Sequence, residues 1–364
     1  MGGGFLLYDF LGLLNIPEPF FPQMTPPKIR WGILSTGSIA RRFAGSLKKS
    51  ATGTLSAVAS RSLAPAEAFA AEFGAAKAHG DYASLIADPD IDAVYIAPPH
   101  PMHREWALRC AEAGKAILCE KPAGMDRGEL VEMLAAAKAN GVFFMEAFMY
   151  RCHPQTRLLR ETLRRDLIGP VRMIHATFSY PAPDYNPKER RYARELGGGS
   201  ILDVGCYGVS MSRLIAGELS GKRFADPLEV KGFARLEPRE KTDLTAAALL
   251  RFEGDLIAMV QSGVALKGEN IVRIEGEKGT ITVGCPWAVR HGESFLQVTG
   301  HLSGETTSRI TTRPDEDLYA YEIDEVGRAI ASGEKESPEM SWEDSLGNAA
   351  VLDAWLKEAG VSYD

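Results

Sequence analysis

From Ile29 onward, short apolar runs alternate with amphipathic stretches. "IRWGILS" (29–35), "TLSAVAS" (54–60), "IDAVYIA" (91–97), "AILCE" (116–120) and "VFFMEA" (142–147) read as buried strands. Between them "IARRFAGSLKKS" (39–50), "PAEAFAAEFG" (65–74), "MHREWALRCAEAG" (102–114) and "RGELVEMLAAAKANG" (127–141) read as helices, the second opening on proline and stopping on glycine. Strands alternating with helices of about 10–15 residues predict parallel βαβ units in a doubly wound sheet.

After residue 150 the texture changes. A helix at "PQTRLLRETLRR" (154–165), strand "VRMIHATFSY" (171–180) and a helix around 200–215 precede six runs, from "LEVKGFARL" (228–236) to "TSRITTR" (307–313), separated by Gly, Asp and Asn turns. That spacing predicts an antiparallel meander with one buried face. "SWEDSLGNAAVLDAWLKEAG" (341–360) is a helix with a Ser or Asp cap and a glycine stop. The predicted fold class is therefore α/β: an N-terminal Rossmann sheet followed by an α+β domain with a large, mostly antiparallel open sheet. The expected division is 1–27 as an extension or arm, 28–150 as the dinucleotide domain, 151–335 as the substrate and oligomerisation domain, and 336–364 as a C-terminal helix packed back on the first domain.

Composition narrows the function. With 41 Lys+Arg against 48 Asp+Glu, the net charge is −7, and no basic run suits a nucleic acid. "FLLYDFLGLL" near the start has no basic residue before it and is too short for a membrane span. Two readings of 1–23 stand open: Met24 as the natural start, or an arm packing its apolar side chains on the body or a partner. Five scattered cysteines contain no C-x-x-C pair, which excludes a zinc pattern and favours a reducing, cytoplasmic compartment. No metal is expected.

The first strand runs into Ser35-Thr36-Gly37-Ser38-Ile39-Ala40, a G-x-G-x-x-G/A fingerprint with serine at its first position. Gly37 would let the backbone approach a pyrophosphate, Ala40 would permit close helix packing, and the helix start would offer free N–H groups. Serine suits the first position if its φ is negative, so a negative φ is expected at Ser35. A plain strand-to-helix turn is the alternative. The second strand bears on the choice: where an NAD site carries Asp or Glu, this chain has Ser60, Arg61 and Ser62, which suit the 2′-phosphate of NADP. NADP is the expected cofactor, with NAD as the other candidate.

Glu120-Lys121-Pro122 ends a parallel strand, where open α/β sheets collect ligands, and a cis Pro122 would aim Lys121 into the crevice. Asp203 and Tyr207 lie four apart behind Gly197, Gly198 and Gly199, on one face if helical. Lysine, aspartate and tyrosine converging on a nicotinamide form a proton relay for an alcohol, the ammonium lowering the phenol's pKa. Alternatively Tyr207 is core and Asp203 a helix-start carboxylate.

Together "GILSTGSIA", "ASRS", "PPHPMH", "AGKAILCEKP", "MEAFMYRCHP" and "GGGSILDVGCYGVS", in this order over roughly residues 28–360, resemble the glucose–fructose oxidoreductase and myo-inositol dehydrogenase (Gfo/Idh/MocA) family. Within it the chain is most similar to the dimeric dihydrodiol dehydrogenase and NADP-dependent xylose dehydrogenase branch, which shares the serine of the first turn and a similar LLD-x-G-x-Y. The resemblance implies that Lys121 binds substrate and tunes Tyr207, that Tyr207 handles the proton, and that Asp203 orients the substrate. It places Pro98, Pro99 and His103 by the nicotinamide, with His100 where many relatives have asparagine. Arg151 is expected either at the substrate or in a structural ion pair.

The expected activity is NADP-dependent hydride transfer on a sugar such as xylose, or on a cyclic vicinal diol. The alternative is a catalytically silent NADP-binding sensor of the same fold. The resemblance also implies a homodimer or homotetramer joined through the C-terminal sheet.

Overall fold

A computed structural model of the protein describes residues 28–181, 186, 188–287, 294–301, 306–311 and 317–363. The expected arm at 1–27 lies outside the described residues.

The first unit is a six-stranded parallel sheet in the order β3-β2-β1-β4-β5-β6. Its strands are β1 (Ile29–Leu34), β2 (Gly53–Ala59), β3 (Lys77–His79), β4 (Ala93–Ile96), β5 (Ala116–Glu120) and β6 (Phe144–Ala147). Helices α1 (Ser38–Leu47), α2 (Leu63–Phe73), α3 (Tyr82–Ile86), α4 (His103–Glu112) and α5 (Arg127–Asn140) connect them. The apolar runs are the strands because both sheet faces are covered: every residue of β4, β5 and β6 is buried. The reading along the chain passes over β3 and α3, since three and five residues are too short for either period to register. Strand order reverses between β1 and β4, so a crevice opens beyond their C-terminal ends.

The second unit is built on an eight-stranded sheet, β14-β13-β12-β11-β7-β10-β9-β8. These strands are β7 (Val171–Ser179), β8 (Glu229–Leu236), β9 (Asp243–Arg251), β10 (Ile257–Gly263), β11 (Ile271–Gly276), β12 (Gly279–Gly284), β13 (Phe295–Gly300) and β14 (Thr306–Thr311). Every neighbouring pair is antiparallel except β7 with β10. One face is buried under α7 (Cys206–Leu219), where Gly208 admits Val260: a Cβ there would stand 2.6 Å from its Cγ1. The other face is open and carries Phe233, 83% exposed, with Leu249 and Met259 directly opposite each other on β9 and β10. Helix α6 (Pro154–Arg164) completes the packing.

Two C-terminal helices tie the units together. The pattern reading passes over α8 (Leu318–Ala331), which docks on the first unit: Asp324 accepts from the Ser50 hydroxyl (2.6 Å) and the Thr52 N–H (3.0 Å). Helix α9 (Trp342–Ala359), capped by Ser341, meets both units. The Trp342 indole donates to the Phe144 carbonyl (3.0 Å), and Asp353 accepts from the Arg127 N–H (3.1 Å). On the other side Trp355 fills the space that a side chain at Gly232 would need. Among the described residues, no helix is long and apolar enough to cross a membrane and no group of three or more His, Cys, Asp or Glu is placed to hold a metal.

Candidate functional site

The crevice at the strand reversal is a cleft of about 820 Å³, and it is lined by both units. From the first come Ser35 through Ile39, Ser60, Arg61, Tyr82, Pro98, Pro99, His100, Glu120 and Lys121. From the second come Phe178, Tyr180, Glu189, Arg190, Asp203 and Tyr207.

The β1–α1 turn has the parts of a phosphate cradle. Helix α1 begins with no side-chain cap and no acid in its first turn, so its leading N–H groups remain available to an anion. Ala40 is fully buried, as the packing position requires. The expectation of a negative φ at Ser35 is wrong: its φ is +93°. Two local hydrogen bonds offset that strain, from the Ser35 N–H to the Ala59 carbonyl (2.9 Å) and from the Gly37 N–H to Ser35 Oγ (3.2 Å). Serine serves at this place because its short hydroxyl bonds the backbone two residues on. Arg61 and Ser60 lie along the same cleft; Ser62 starts α2 and is exposed outside the lining. This turn, with an arginine and no acid beside it, fits a dinucleotide bearing a 2′-phosphate.

At the other end the Lys121–Pro122 bond is cis. Lys121 Nζ donates to the Asp203 carbonyl (2.6 Å), stands 3.6 Å from Asp203 Oδ1 and lies 4.9 Å from the centre of the Tyr207 ring. Asp203 sits in a π-helical turn, Ile201–Gly205, that leads into α7, where Tyr207 occupies the first turn. The sequence analysis missed two further partners of Asp203. The Tyr180 hydroxyl donates to Oδ2, and an Arg190 N–H donates to Oδ1 at 3.2 Å. Arg190 and Lys121 together hold the Asp203 carboxyl well below the usual carboxylate range despite its burial. Both missed residues belong to the stretch after β7, whose Pro- and Arg-rich composition marks a loop without placing its side chains.

Tyr207 departs from expectation. Its hydroxyl donates to Met149 Sδ (3.4 Å), and burial pushes its pKa up rather than down. The Lys121 charge lies over the ring and is engaged by Asp203, so it does not outweigh desolvation. Glu120 closes the cleft floor, taking the Tyr95 hydroxyl on Oε1 and the Lys121 N–H on Oε2 (3.2 Å), and burial raises its pKa.

Besides Ser62, two expected site residues lie outside the cleft lining. His103 is fully buried beneath the cleft, its ring nitrogens facing the Pro122 (3.1 Å) and Pro98 (2.9 Å) carbonyls, where it braces the two loop ends. Arg151 is a core residue bonded to Ser210 Oγ (2.8 Å) and Asp344 Oδ2 (3.1 Å), the structural alternative rather than the substrate contact. It stays in the core because Asp344 also binds the fully buried Arg213 (2.5 Å), which makes one carboxylate the hub of two guanidiniums.

A βα turn fit for a dinucleotide at the switch point, faced by the second unit's Asp203 and Tyr207 from the start of α7 and Tyr180 from the end of β7, defines a two-domain nicotinamide-dependent class of protein. Family comparison agrees: residues 29–148 match the oxidoreductase family with an NAD-binding Rossmann fold, and residues 156–282 match the GFO/IDH/MocA C-terminal domain. The chain is 33% identical to trans-1,2-dihydrobenzene-1,2-diol dehydrogenase of Xenopus laevis, over 92% of this chain and 99% of that one. It is 30% identical to the human enzyme of that name, over 92% and 98%. Among solved structures, the 3-ketoreductase KijD10 of Actinomadura kijaniata, in complex with NADP and TDP-benzene, superposes with a TM-score of 0.82 at 29% identity, covering 91% of this chain and 98% of that one. The chain belongs to the Gfo/Idh/MocA oxidoreductase family.

Proposed function

We propose that this protein moves a hydride between NADP and a secondary alcohol or hemiacetal carbon of a sugar, such as an aldose, or of a cyclic vicinal diol. The observation that carries the proposal is a single cleft that holds the 35–39 turn and Arg61 at one end and Lys121, Asp203 and Tyr207 at the other. NADP is favoured because Arg61 and Ser60 line the cleft with no acid after β2 to repel a 2′-phosphate. The relative crystallised with NADP and those named as diol dehydrogenases point the same way. The sugar half of the proposal rests on the motif resemblance.

The turn 35–39 and the start of α1 would hold the pyrophosphate, Arg61 the 2′-phosphate, and Pro98 and Pro99 would flank the nicotinamide. A bound nicotinamide supplies the acceptor and donor of hydride. The remaining chemistry belongs to side chains. In reduction Tyr207, protonated in its buried place, gives its proton to the carbonyl oxygen and is left as a phenolate; in oxidation the phenolate takes the proton from the hydroxyl. Lys121, over the Tyr207 ring, offsets the charge of the phenolate that oxidation requires, and Asp203 holds Lys121 in place. Tyr207→Phe lowers kcat by about 10²–10⁴-fold with NADP affinity kept. Retention of more than about a tenth of wild-type kcat would remove Tyr207 from the proton path.

In the same reading the protein is a homo-oligomer joined through the open face around Phe233, Leu249 and Met259. Four buried thiols outside any disulfide, Cys110, Cys119, Cys152 and Cys206, fit a reducing cytoplasm.

A further inference from the structure

Asp203 is already occupied before any substrate arrives. Its Oδ1 faces both Arg190 (3.2 Å) and Lys121 (3.6 Å), and its Oδ2 takes the Tyr180 hydroxyl. One carboxylate is therefore shared by two cations. Among the described residues, the other acids in this end of the cleft are Glu189 and Glu120. Glu189 is engaged by the neighbouring Arg191 (2.5 Å). Glu120 has both oxygens taken, by the Tyr95 hydroxyl and by the Lys121 N–H. His100, buried and beside Arg190 and Lys121, has its pKa pushed well down and stays uncharged. Among the described residues, each acid at the substrate end thus already has a partner.

Of the two cations on Asp203, Arg190 is the more exposed. Its side chain is 41% exposed and lines the cleft, yet only one of its amino groups is bonded, to Asp203, among the described residues. A guanidinium carries five N–H donors in a planar fork that matches carboxylate and phosphate oxygens. We infer that Arg190 determines specificity by binding an anionic oxygen group of the substrate, a carboxylate or a phosphoryl, at a point away from the reacting carbon. A neutral polyol would satisfy those remaining guanidinium donors less well than an anionic oxygen group, whose hydrogen bonds are charge-assisted. The inference deepens the dehydrogenase reading and relies on it only for turnover.

The test uses the full chain loaded with NADPH, as wild type, Arg190→Ala and Arg190→Lys. D-glucose, D-glucuronate and D-glucose 6-phosphate are titrated against the fluorescence of the bound dinucleotide, and kcat and KM are measured in parallel with NADP. In the wild type at least one anion binds about tenfold or more tighter than glucose. Arg190→Ala weakens the preferred anion, through Kd and KM, about tenfold or more beyond any weakening of glucose, and Arg190→Lys keeps part of the preference. Preference for glucuronate assigns a carboxylate, and preference for glucose 6-phosphate a phosphoryl group. The inference is overturned if neither anion binds more tightly than glucose. It is also overturned if Arg190→Ala weakens all three ligands equally, because Arg190 then only braces Asp203. Selective anion binding with no turnover of any sugar or diol overturns the dehydrogenase reading and leaves the assignment of Arg190 standing.

Discussion

Glu146 is buried near the C-terminal end of β6, where it accepts the Ala123 N–H (3.0 Å). Burial, with Asp344 nearby, raises its pKa to about 7 from an unfolded value of 4.5. The folded state therefore holds a proton that the unfolded chain releases. The stability this group contributes is full below about pH 4.5 and is lost as pH rises through about 7. Glu146→Gln escapes that loss. Between pH 5 and pH 8 its urea-unfolding free energy shifts relative to wild type by about 2 kcal/mol in the variant's favour. Parallel pH profiles of variant and wild type would show that Glu146 ionises normally in the fold. At this scale residue identity was legible and environment was not. Lys121, Asp203 and Tyr207 stand out in the chain, whereas the Met149 contact and the raised pKa of Tyr207 depend on what surrounds it.

The β1–α1 turn joins two elements through a residue in an unfavourable conformation. A positive φ at a non-glycine costs on the order of 1–2 kcal/mol. Ser35→Gly removes that cost while forfeiting the Gly37 hydrogen bond, so its melting temperature stays within a few degrees of wild type or rises. Ser35→Val, β-branched and without an acceptor, lowers both the melting temperature and NADPH affinity. Wild-type values for the valine variant, by thermal denaturation and fluorescence titration, would mean that the turn relaxes to another φ. Long elements with a strong period were legible; α8, which docks through Asp324 on Ser50 and Thr52 some 270 residues away in sequence, was not. Its place is set by contacts between distant segments, and no local pattern in the chain announces them.

At the scale of the molecule, the second sheet has one face under α7 and one that leaves large apolar side chains in solvent. Phe233, Leu249 and Met259 lie close together across β8, β9 and β10, with Phe233 opposite Ala247 and Leu249 opposite Met259. The proposed homo-oligomer would bury these apolar side chains, since contiguous exposed apolar patches suit association. Phe233→Asp is expected to shift the protein from oligomer to monomer in sedimentation velocity, with little change in the circular dichroism of the folded chain. A monomeric wild type would remove this face from the assembly.

By itself the sequence determined the alternation of strand and helix, the two-unit order and the place of the β1–α1 turn, because each is written in local periodicity or spacing, while the lysine, aspartate and tyrosine were singled out through the motif resemblance. Only the tertiary structure decided which side chains share the cleft. It drew Arg151 into the core beside Asp344, set His103 beneath the loop ends, and brought Tyr180 and Arg190 onto Asp203. Those outcomes turn on which buried charge finds its partner, and partners far apart in the chain meet only when the sheets close on each other. "WGILSTGSIA" lies across both halves of that division. Its strand, glycine and helix start are legible in the letters, and the +93° of Ser35 is set by two hydrogen bonds that exist only in the fold.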